Sequence, residues 1–510
     1  MEQLMRAPTL WQLLEQRVRA TPEATMLIDG ASGETVSFSG FLDRAEHLAS
    51  GLYALGIDPG QVVAWQLPTR VQSITLMLAL ARLGVVQNPI LHLYRQRELA
   101  ALLEQSQPEL LIVPGRETAC DYPAMAAEAR PGQKILDLSR GLPDAYPAAL
   151  PPVPRRDDEI RWLYCTSGTT AGPKAARHTD TSVMAGGYNL AESLEMTPKD
   201  VGSIAYPIAH IGGVMYTTMV LATGMSAVLI EKFVPSEAVT IYRHHGVTQA
   251  GGSTAHYQAL LNEQRKQPRE QAVPSLKILS GGGASKPPEL VRDIKREMHC
   301  DVLHAYGMTE APLIAHCRRE DSDEQKMVTD GRPVTGMEVR IRRLDGGVAG
   351  PGEEGEIMIR GTALCQGYLD AGQTRAAFTD DGFYHTGDLG LLRDDGCLVI
   401  TGRIKDIIIR KGENISAREI EDLLFSHPRV AAVAVIGLPD KNTGERVCAV
   451  VEAVPDLPPL TFSEMVDYLN DQGLMRQKVP ERLEVVDELP RNQALNKVLK
   501  YELRKRFSES

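Results

Sequence analysis

Tyr164-Cys165-Thr166-Ser167-Gly168-Thr169-Thr170-Ala171-Gly172-Pro173-Lys174 follows directly on the strand-like Ile160-Arg161-Trp162-Leu163. Small residues let the backbone approach a ligand, N–H groups and hydroxyls donate, and Lys174 supplies a positive charge, so the composition suits a phosphate. The stretch is not a Walker loop: Pro173 precedes the lysine and Ala175 follows it, where that motif requires glycine before and Ser or Thr after. A solvated turn is the competing reading. The density of hydroxyl, glycine and lysine after a buried strand weighs against it.

The rest of the chain tells what surrounds this loop. At 510 residues it exceeds a single core, so a large domain and a smaller one are expected. With 43% hydrophobic and 24% charged residues it has the composition of a globular protein. A net charge of −11 argues against nucleic acid as a partner. The seven cysteines are scattered without a Cys-x-x-Cys pair, so neither a disulfide framework nor a zinc site is indicated, and a reducing cytoplasm fits. No signal peptide is read at the start; Thr9 to Gln12 is a capping box opening a helix with Leu10, Leu14 and Val18 on one face. Residues 201–230 lack any Asp, Glu, Lys or Arg. Pro207, His210, Gly212, Gly213 and Gly224 interrupt them, so they read as loop, helix, turn and strand rather than a membrane span.

Short β-like runs alternate with helical ones over most of the chain, which predicts a layered α/β architecture. Residues 61–67 read as a strand and 73–81 as an apolar helix, and the Pro-rich 149–156 as a linker between two halves of the large domain. Strands at 276–279 and 302–303 run into Ser280-Gly281-Gly282-Gly283-Ala284 and His304-Ala305-Tyr306-Gly307-Met308-Thr309-Glu310, which suggests one crevice at the strand ends. Beyond about Gly402 the texture changes to a compact α+β unit: strands at 407–409, 430–436 and 447–451, with capping boxes at Ser416 and Thr461.

Together these loops resemble the adenylate-forming enzymes: acyl-CoA synthetases, firefly luciferase and peptide-synthetase adenylation domains. The resemblance rests on Thr166–Lys174, Tyr306–Glu310, Tyr384-His385-Thr386-Gly387-Asp388, Gly402-Arg403-Ile404-Lys405-Asp406, Lys411-Gly412-Glu413-Asn414 and Lys497, in that order along nearly the whole chain. It implies a multi-layered α/β N-terminal adenylation domain over residues 1–402 and a small, mobile α+β C-terminal domain over 403–510, with a hinge at Lys405. It also implies ATP, Mg²⁺ and coenzyme A. Thr166, Ser167, Gly168, Thr169, Thr170 and Lys174 would hold the β- and γ-phosphates. Glu310 would bind Mg²⁺, with Thr309 at the α-phosphate. Tyr306 would face adenine, with Gly282, Gly283 and Ala284 as a thin wall. Asp388 would accept the ribose hydroxyls, with Arg403 adding a contact. Taken alone, Thr309-Glu310 reads as a helix N-terminus and Gly387-Asp388 as a turn.

Further along, Gly412 would line the thiol tunnel, and Lys497 would reach the α-phosphate and the incoming carboxylate. The C-terminal motif departs from the family's: one residue is inserted after Pro490-Arg491, and Asn496 replaces the glycine before the lysine. Asparagine tolerates a left-handed backbone, so the turn can survive. Lys500 is the competitor for the role, inside a basic helix read over residues 498–504.

Amino-acid-activating members of that family carry an aspartate near the position of Ala209-His210; no acid stands there, so the resemblance implies a carboxylate without an amino group. His210 matches the gate of acyl-CoA synthetases; a satisfied core histidine is the alternative. Gly213, Val214, Gly252, Ser253, Gly281, Ala305 and Met308, with Ile211, Thr254 and Pro312, would form an apolar pocket whose glycines leave volume. The expected activity is an AMP-forming ligase of an alicyclic, steroid side-chain or medium-chain acid. Residues 88–99 resemble the cyclohexanecarboxylate–CoA ligase group. A ligase that hands the acyl group to a carrier protein is the main rival. A luciferase-like oxygenase finds no support in the sequence, and a dead scaffold is opposed by the retention of Lys174, Glu310, Asp388 and Lys497. The expected partners are the small acid, ATP and CoA, without nucleic acid or a transmembrane segment, and a homodimer is admitted.

Overall fold

The computed structural model describes residues 4–146, 150–166, 174–283, 286–411, 413–455, 457–491 and 498–508. Ser167, Gly168, Thr169, Thr170, Ala284, Gly412 and Lys497 therefore lie outside the described residues, as does the side chain of Thr166.

The largest sheet has nine strands. Six of them, Thr25–Asp29, Ser226–Leu229, Val201–Ile204, Gln249–Gly252, Ile278–Gly282 and Asp301–Met308, run parallel in that spatial order. From Val201–Ile204 the chain goes first to Ser226–Leu229 on one side and then to Gln249–Gly252 on the other. The order reverses there, and the loops after Ile204 and Gly252 face each other across the crevice that such a reversal opens. A second, six-stranded sheet ends in the antiparallel pair Ile160–Thr166 and Lys174–Thr179, with Thr166 opposite Lys174. The two strands that flank the hydroxyl-rich loop are thus antiparallel neighbours.

A four-stranded antiparallel sheet (Met337–Arg342, Gly355–Gly361, Tyr384–Leu392, Leu398–Arg403) follows. The one-turn 3-10 helix Ile404–Asp406 then leads into a five-stranded sheet that carries its own buried core of Ile408, Ile415, Ile420, Leu424, Val435 and Val451. The large and small α/β units expected from the sequence are both present.

Local signals explain most elements. Thr9 caps Leu10–Ala20 through the Gln12 N–H, although the Gln12 side chain meets the Thr9 hydroxyl rather than its backbone. Thr461 and Glu464 complete a reciprocal box before Phe462–Asp471. The charge-free stretch resolves into Val201–Ile204, Ile211–Thr223 and Ser226–Leu229. Among the described residues no helix is long and apolar enough to cross a membrane.

Two expectations are corrected. The Pro-rich segment does not separate two halves: Ile160–Thr166 returns to the sheet the chain had just left and pairs in parallel with Val86–Pro89. Prolines there cannot donate to a ladder, so the segment runs as irregular chain, held where Arg82 donates to Pro151 O at 2.9 Å. The terminal helix runs Lys500–Ser508 rather than from residue 498, because Val498 forms a β-bridge with Arg491.

Candidate active site

Thr309 and Glu310 form the two-residue turn between the antiparallel strands Asp301–Met308 and Ala311–His316, not a helix N-terminus. Gly307 allows this turn: a Cβ there would come within 2.3 Å of Pro312 O. Glu310 is buried, 8% exposed, and its Oε1 accepts the Tyr368 hydroxyl at 2.6 Å. Tyr368 and Tyr384 share a further O–H···O bond of 2.9 Å. Lys174 Nζ lies 5.3 Å from the centroid of the Tyr368 ring. A carboxylate that accepts from a phenol on one oxygen has lone pairs left for a hard cation, so this donor set fits Mg²⁺. Among the described residues no three His, Cys, Asp or Glu side chains converge, and a Mg²⁺ held by one carboxylate plus phosphate oxygens needs no such cluster.

Asp388 sits four residues beyond Tyr384 on the same strand. Gly387 takes a left-handed φ of 69°, and the Thr386 hydroxyl accepts the Asp388 N–H at 3.0 Å while donating to Ile357 O at 2.6 Å. The carboxylate is thereby aimed at Tyr306, whose hydroxyl donates to Oδ2 at 2.8 Å, and at Arg403, whose Nε lies 2.9 Å from Oδ1. Asp388 and Arg403 are also cross-strand partners in the sheet. Each carboxylate oxygen has a second lone pair, so capacity for further donors remains. Burial, and then the Asp388 charge, push the Tyr306 phenol up, so it stays a donor. Lys405 is pulled down, chiefly by burial and then by Arg403.

Sequence reasoning missed several groups. His178 is fully buried at the end of Lys174–Thr179; its Nε2 donates to Thr309 O at 2.9 Å and its Nδ1 lies 2.9 Å from Ser182 Oγ. Burial lowers its pKa to about 4, so the imidazole is neutral. The Thr69 hydroxyl donates to Tyr206 O at 2.7 Å and accepts the Ile208 N–H at 3.0 Å, fixing the loop that leads to His210. His256 accepts the Ser253 N–H at 3.1 Å and packs its ring 4.6 Å from that of Phe233. No motif marks His178 or Thr69, because each acts through a neighbour more than a hundred positions away.

His210 caps the helix Ile211–Thr223, its Nδ1 accepting the Gly212 N–H at 3.1 Å. Val214 is buried in that helix, while Ala305 and Met308 are half-buried. The glycines do not create volume in the way the sequence suggested. A Cβ at Gly213 would lie 2.0 Å from Ile208 O, one at Gly281 1.8 Å from Gly252 O, and one at Gly252 2.7 Å from the His256 ring. At Gly282 it would lie 2.0 Å from Ala305 O. Gly213, Gly281 and Gly282 each serve a close backbone approach, whereas at Gly252 the His256 side chain takes the space. Gly283 is exposed with a left-handed φ of 85°.

The AMP-binding enzyme model matches residues 14–369, and the AMP-binding enzyme C-terminal domain matches residues 419–494. The chain belongs to the AMP-binding enzyme family. It is 29% identical to the medium-chain fatty-acid–CoA ligase of Escherichia coli K12, over 97% of this chain and 89% of that one. It is 31% identical to the sulfoacetate–CoA ligase of Cupriavidus necator over 95% of both. It is also 31% identical to the salicyl-AMP ligase / salicyl-S-ArCP synthetase of Mycobacterium tuberculosis, over 94% and 88%. Among solved structures, ATP-bound MatB from Rhodopseudomonas palustris superposes with a TM-score of 0.88 over 99% of both chains at 26% identity. The o-succinylbenzoate–CoA synthetase of Bacillus subtilis, in complex with ATP and magnesium ion, does so at 0.85 over 96% and 98%, with 29% identity. These relatives are ligases of the adenylate-forming superfamily, and the fold they share spans this AMP-binding enzyme from end to end.

Proposed function

We propose that this AMP-binding enzyme is an AMP-forming carboxylate–CoA ligase of an apolar monocarboxylic acid, working in the cytoplasm. The observation that carries the reading is the double tie between the Thr309–Glu310 hairpin and the strand Tyr384–Leu392. Tyr306 meets Asp388 at one end, and Glu310 meets Tyr384 through Tyr368 at the other. Two buried acids are thus held on two tied segments, which supports reading Asp388 as the acid for the ribose and Glu310 as the acid for the metal.

In the first step a carboxylate oxygen attacks the α-phosphorus of ATP and pyrophosphate leaves, giving an acyl-adenylate. Two anions must meet, so the protein has to supply oriented donors and positive charge. Lys174 and residues 166–170 would hold the departing pyrophosphate, Thr309 the α-phosphate, and Lys497 both reacting anions. Mg²⁺, held by Glu310, would neutralise phosphate charge. Asp388, with Tyr306 and Arg403, would orient the ribose against a wall of Gly282, Gly283 and Ala284. In the second step the CoA sulfur attacks the acyl carbon, AMP leaves with the carboxylate-derived oxygen, and the thiol proton goes to solvent.

We place the domain boundary at 402/403 and the hinge at Lys405, in the short turn between two sheets. Rotation there would exchange Lys497 for the Gly412 loop at the reacting centre. His210 would gate the acyl pocket, whose Gly213, Val214, Gly252, Ser253, Gly281, Ala305 and Met308 carry no charge to pair with a second carboxylate or an ammonium. A carrier-protein acceptor is the second reading, favoured by the similarity to a salicyl-S-ArCP synthetase.

The test is a panel of carboxylic acids read as pyrophosphate release with and without CoA. Ring-bearing and medium-chain acids are expected to outrank acetate, amino acids and dicarboxylates, since each buried methylene contributes about 0.8 kcal/mol. Thioester should form with CoA alone. Preferred use of acetate or an amino acid would overturn the pocket reading, and adenylate formation without any thioester would move the acceptor to a carrier protein.

A further inference from the structure

Tyr368 belongs to none of the motifs above, yet three features of the site meet on it. Its hydroxyl donates to Glu310 Oε1, its ring faces Lys174, and the Tyr384 hydroxyl bonds its own. Its backbone explains how. Residues 365–369 lie along the strand that leaves the hydroxyl-rich loop: Arg177 N donates to Gly367 O, Gln366 N to Arg177 O, and Leu369 N to Ala175 O, all at 2.8–2.9 Å. Ala176 and Tyr368 form a β-bridge. At the other end Cys365 N donates to Glu310 O at 2.8 Å. The segment therefore straps the Lys174 strand to the Glu310 turn, and Tyr368 is its buried central side chain, 1% exposed.

We infer that Tyr368 is a positioning residue for the metal–nucleotide complex, setting the Glu310 carboxylate with one hydroxyl while its ring keeps Lys174 at the adjoining phosphates. The inference rests on the reading of Glu310 as the metal ligand. The phenol occupies one side of Oε1 and so selects which lone pairs face the crevice. Partners of this kind, one step behind a metal ligand, typically change metal affinity or activity 10- to 100-fold. The ring contributes separately, through cation–π attraction to the ammonium. The two contributions can be taken apart, since Tyr368→Phe removes only the hydroxyl and Tyr368→Leu removes the ring as well.

The experiment is isothermal titration of ATP and of AMP into the full-length protein, across a Mg²⁺ series and with Mn²⁺ followed by electron paramagnetic resonance. Tyr368→Phe is expected to raise the Mg²⁺ concentration needed for half-maximal ATP affinity about tenfold or more and to leave AMP affinity unchanged. Tyr368→Leu should weaken ATP further at saturating Mg²⁺, and Tyr384→Phe should shift the Mg²⁺ requirement by less than Tyr368→Phe. A Tyr368→Phe protein with the wild-type Mg²⁺ dependence overturns the inference alone. So does one that loses ATP and AMP affinity in parallel, since that pattern marks a structural role. Wild-type ATP affinity that ignores Mg²⁺ and Mn²⁺ would overturn the Glu310 reading together with it.

Discussion

Asp388 is 5% exposed and is met by a phenol on one oxygen and a guanidinium on the other. A carboxylate in that position is oriented before any ligand arrives. Acceptors held in place beforehand save the cost of ordering them at the moment of binding. Asp388→Asn keeps the shape and loses the charge that pairs with Arg403. It is expected to lower acid-dependent pyrophosphate release at least a hundredfold. Tyr306→Phe loses one hydrogen bond to a charged group, worth about 1.5–3 kcal/mol. It should raise the KM for ATP roughly ten- to a hundredfold, with a smaller effect on kcat. Steady-state kinetics on the two purified variants checks both. Wild-type turnover by the Asp388→Asn protein would remove Asp388 from the nucleotide site.

At the scale of the element, the terminal helix accounts for one of the two competing lysines. Lys500 opens Lys500–Ser508, and its Nζ lies 2.7 Å from Glu421 Oε1. The same oxygen accepts the Val435 N–H at 2.7 Å. Arg504, one turn on, pairs with Asp406 of the Ile404–Asp406 turn at 3.0 Å. Burial pushes the Glu421 carboxyl up, and Lys500 opposes that shift. Lys500 is therefore committed to joining the last helix to Ala417–Phe425. Removing one partner of a largely buried pair costs about 3 kcal/mol or more. Lys500→Ala should accordingly lower the melting temperature of the C-terminal unit and spare most of the adenylation rate. Lys497→Ala should do the reverse: the carboxylate-to-adenylate step falls by orders of magnitude, while a supplied acyl-adenylate still gives thioester. Thermal denaturation and separate half-reaction assays distinguish the two. Normal adenylation by the Lys497→Ala protein would shift the register across the inserted residue by one helical turn.

For the whole molecule, three buried histidines of the large unit set an acid limit. His178 and His316 are lowered to about 4 and His304 to about 3, in each case chiefly by burial. His304 lies 3.7 Å from Asp330, and His316 bonds Ser280 at 3.1 Å. These groups are neutral in the folded chain and bind protons near 6.5 once unfolded. Their contribution to stability is thus complete above about pH 6.5 and is lost as the pH falls toward 4. Each accounts for about 1.4 kcal/mol per pH unit across that window. Urea midpoints of the large unit should fall steeply between pH 6.5 and 5. The slope should flatten by about one proton in His178→Gln. A midpoint independent of pH over that range would show that these imidazoles are protonated in the native state.

How much of this was legible beforehand depends on the range of the forces involved. Capping at Thr9, Ser416 and Thr461, the alternation of strand and helix, and the change of texture past Gly402 are local effects, and local sequence carries them. The family motifs likewise announce their residues, because phosphate and metal chemistry restricts which side chains can stand there. The contacts that aim those side chains are another matter. Tyr368 reaches Glu310 across 58 positions and Tyr306 reaches Asp388 across 82. His178 lies 131 positions from Thr309. A lone tyrosine or histidine carries no periodicity or spacing that names its partner. The glycines misled for the same reason. Composition suggested an open pocket, whereas neighbouring carbonyls at Gly213 and Gly281 demand the missing Cβ. The sequence by itself determined the chemistry this chain carries and the order of its elements. Only the tertiary structure decided how that chemistry is held, because hydrogen bonds act over a few ångströms in space whatever their distance along the chain.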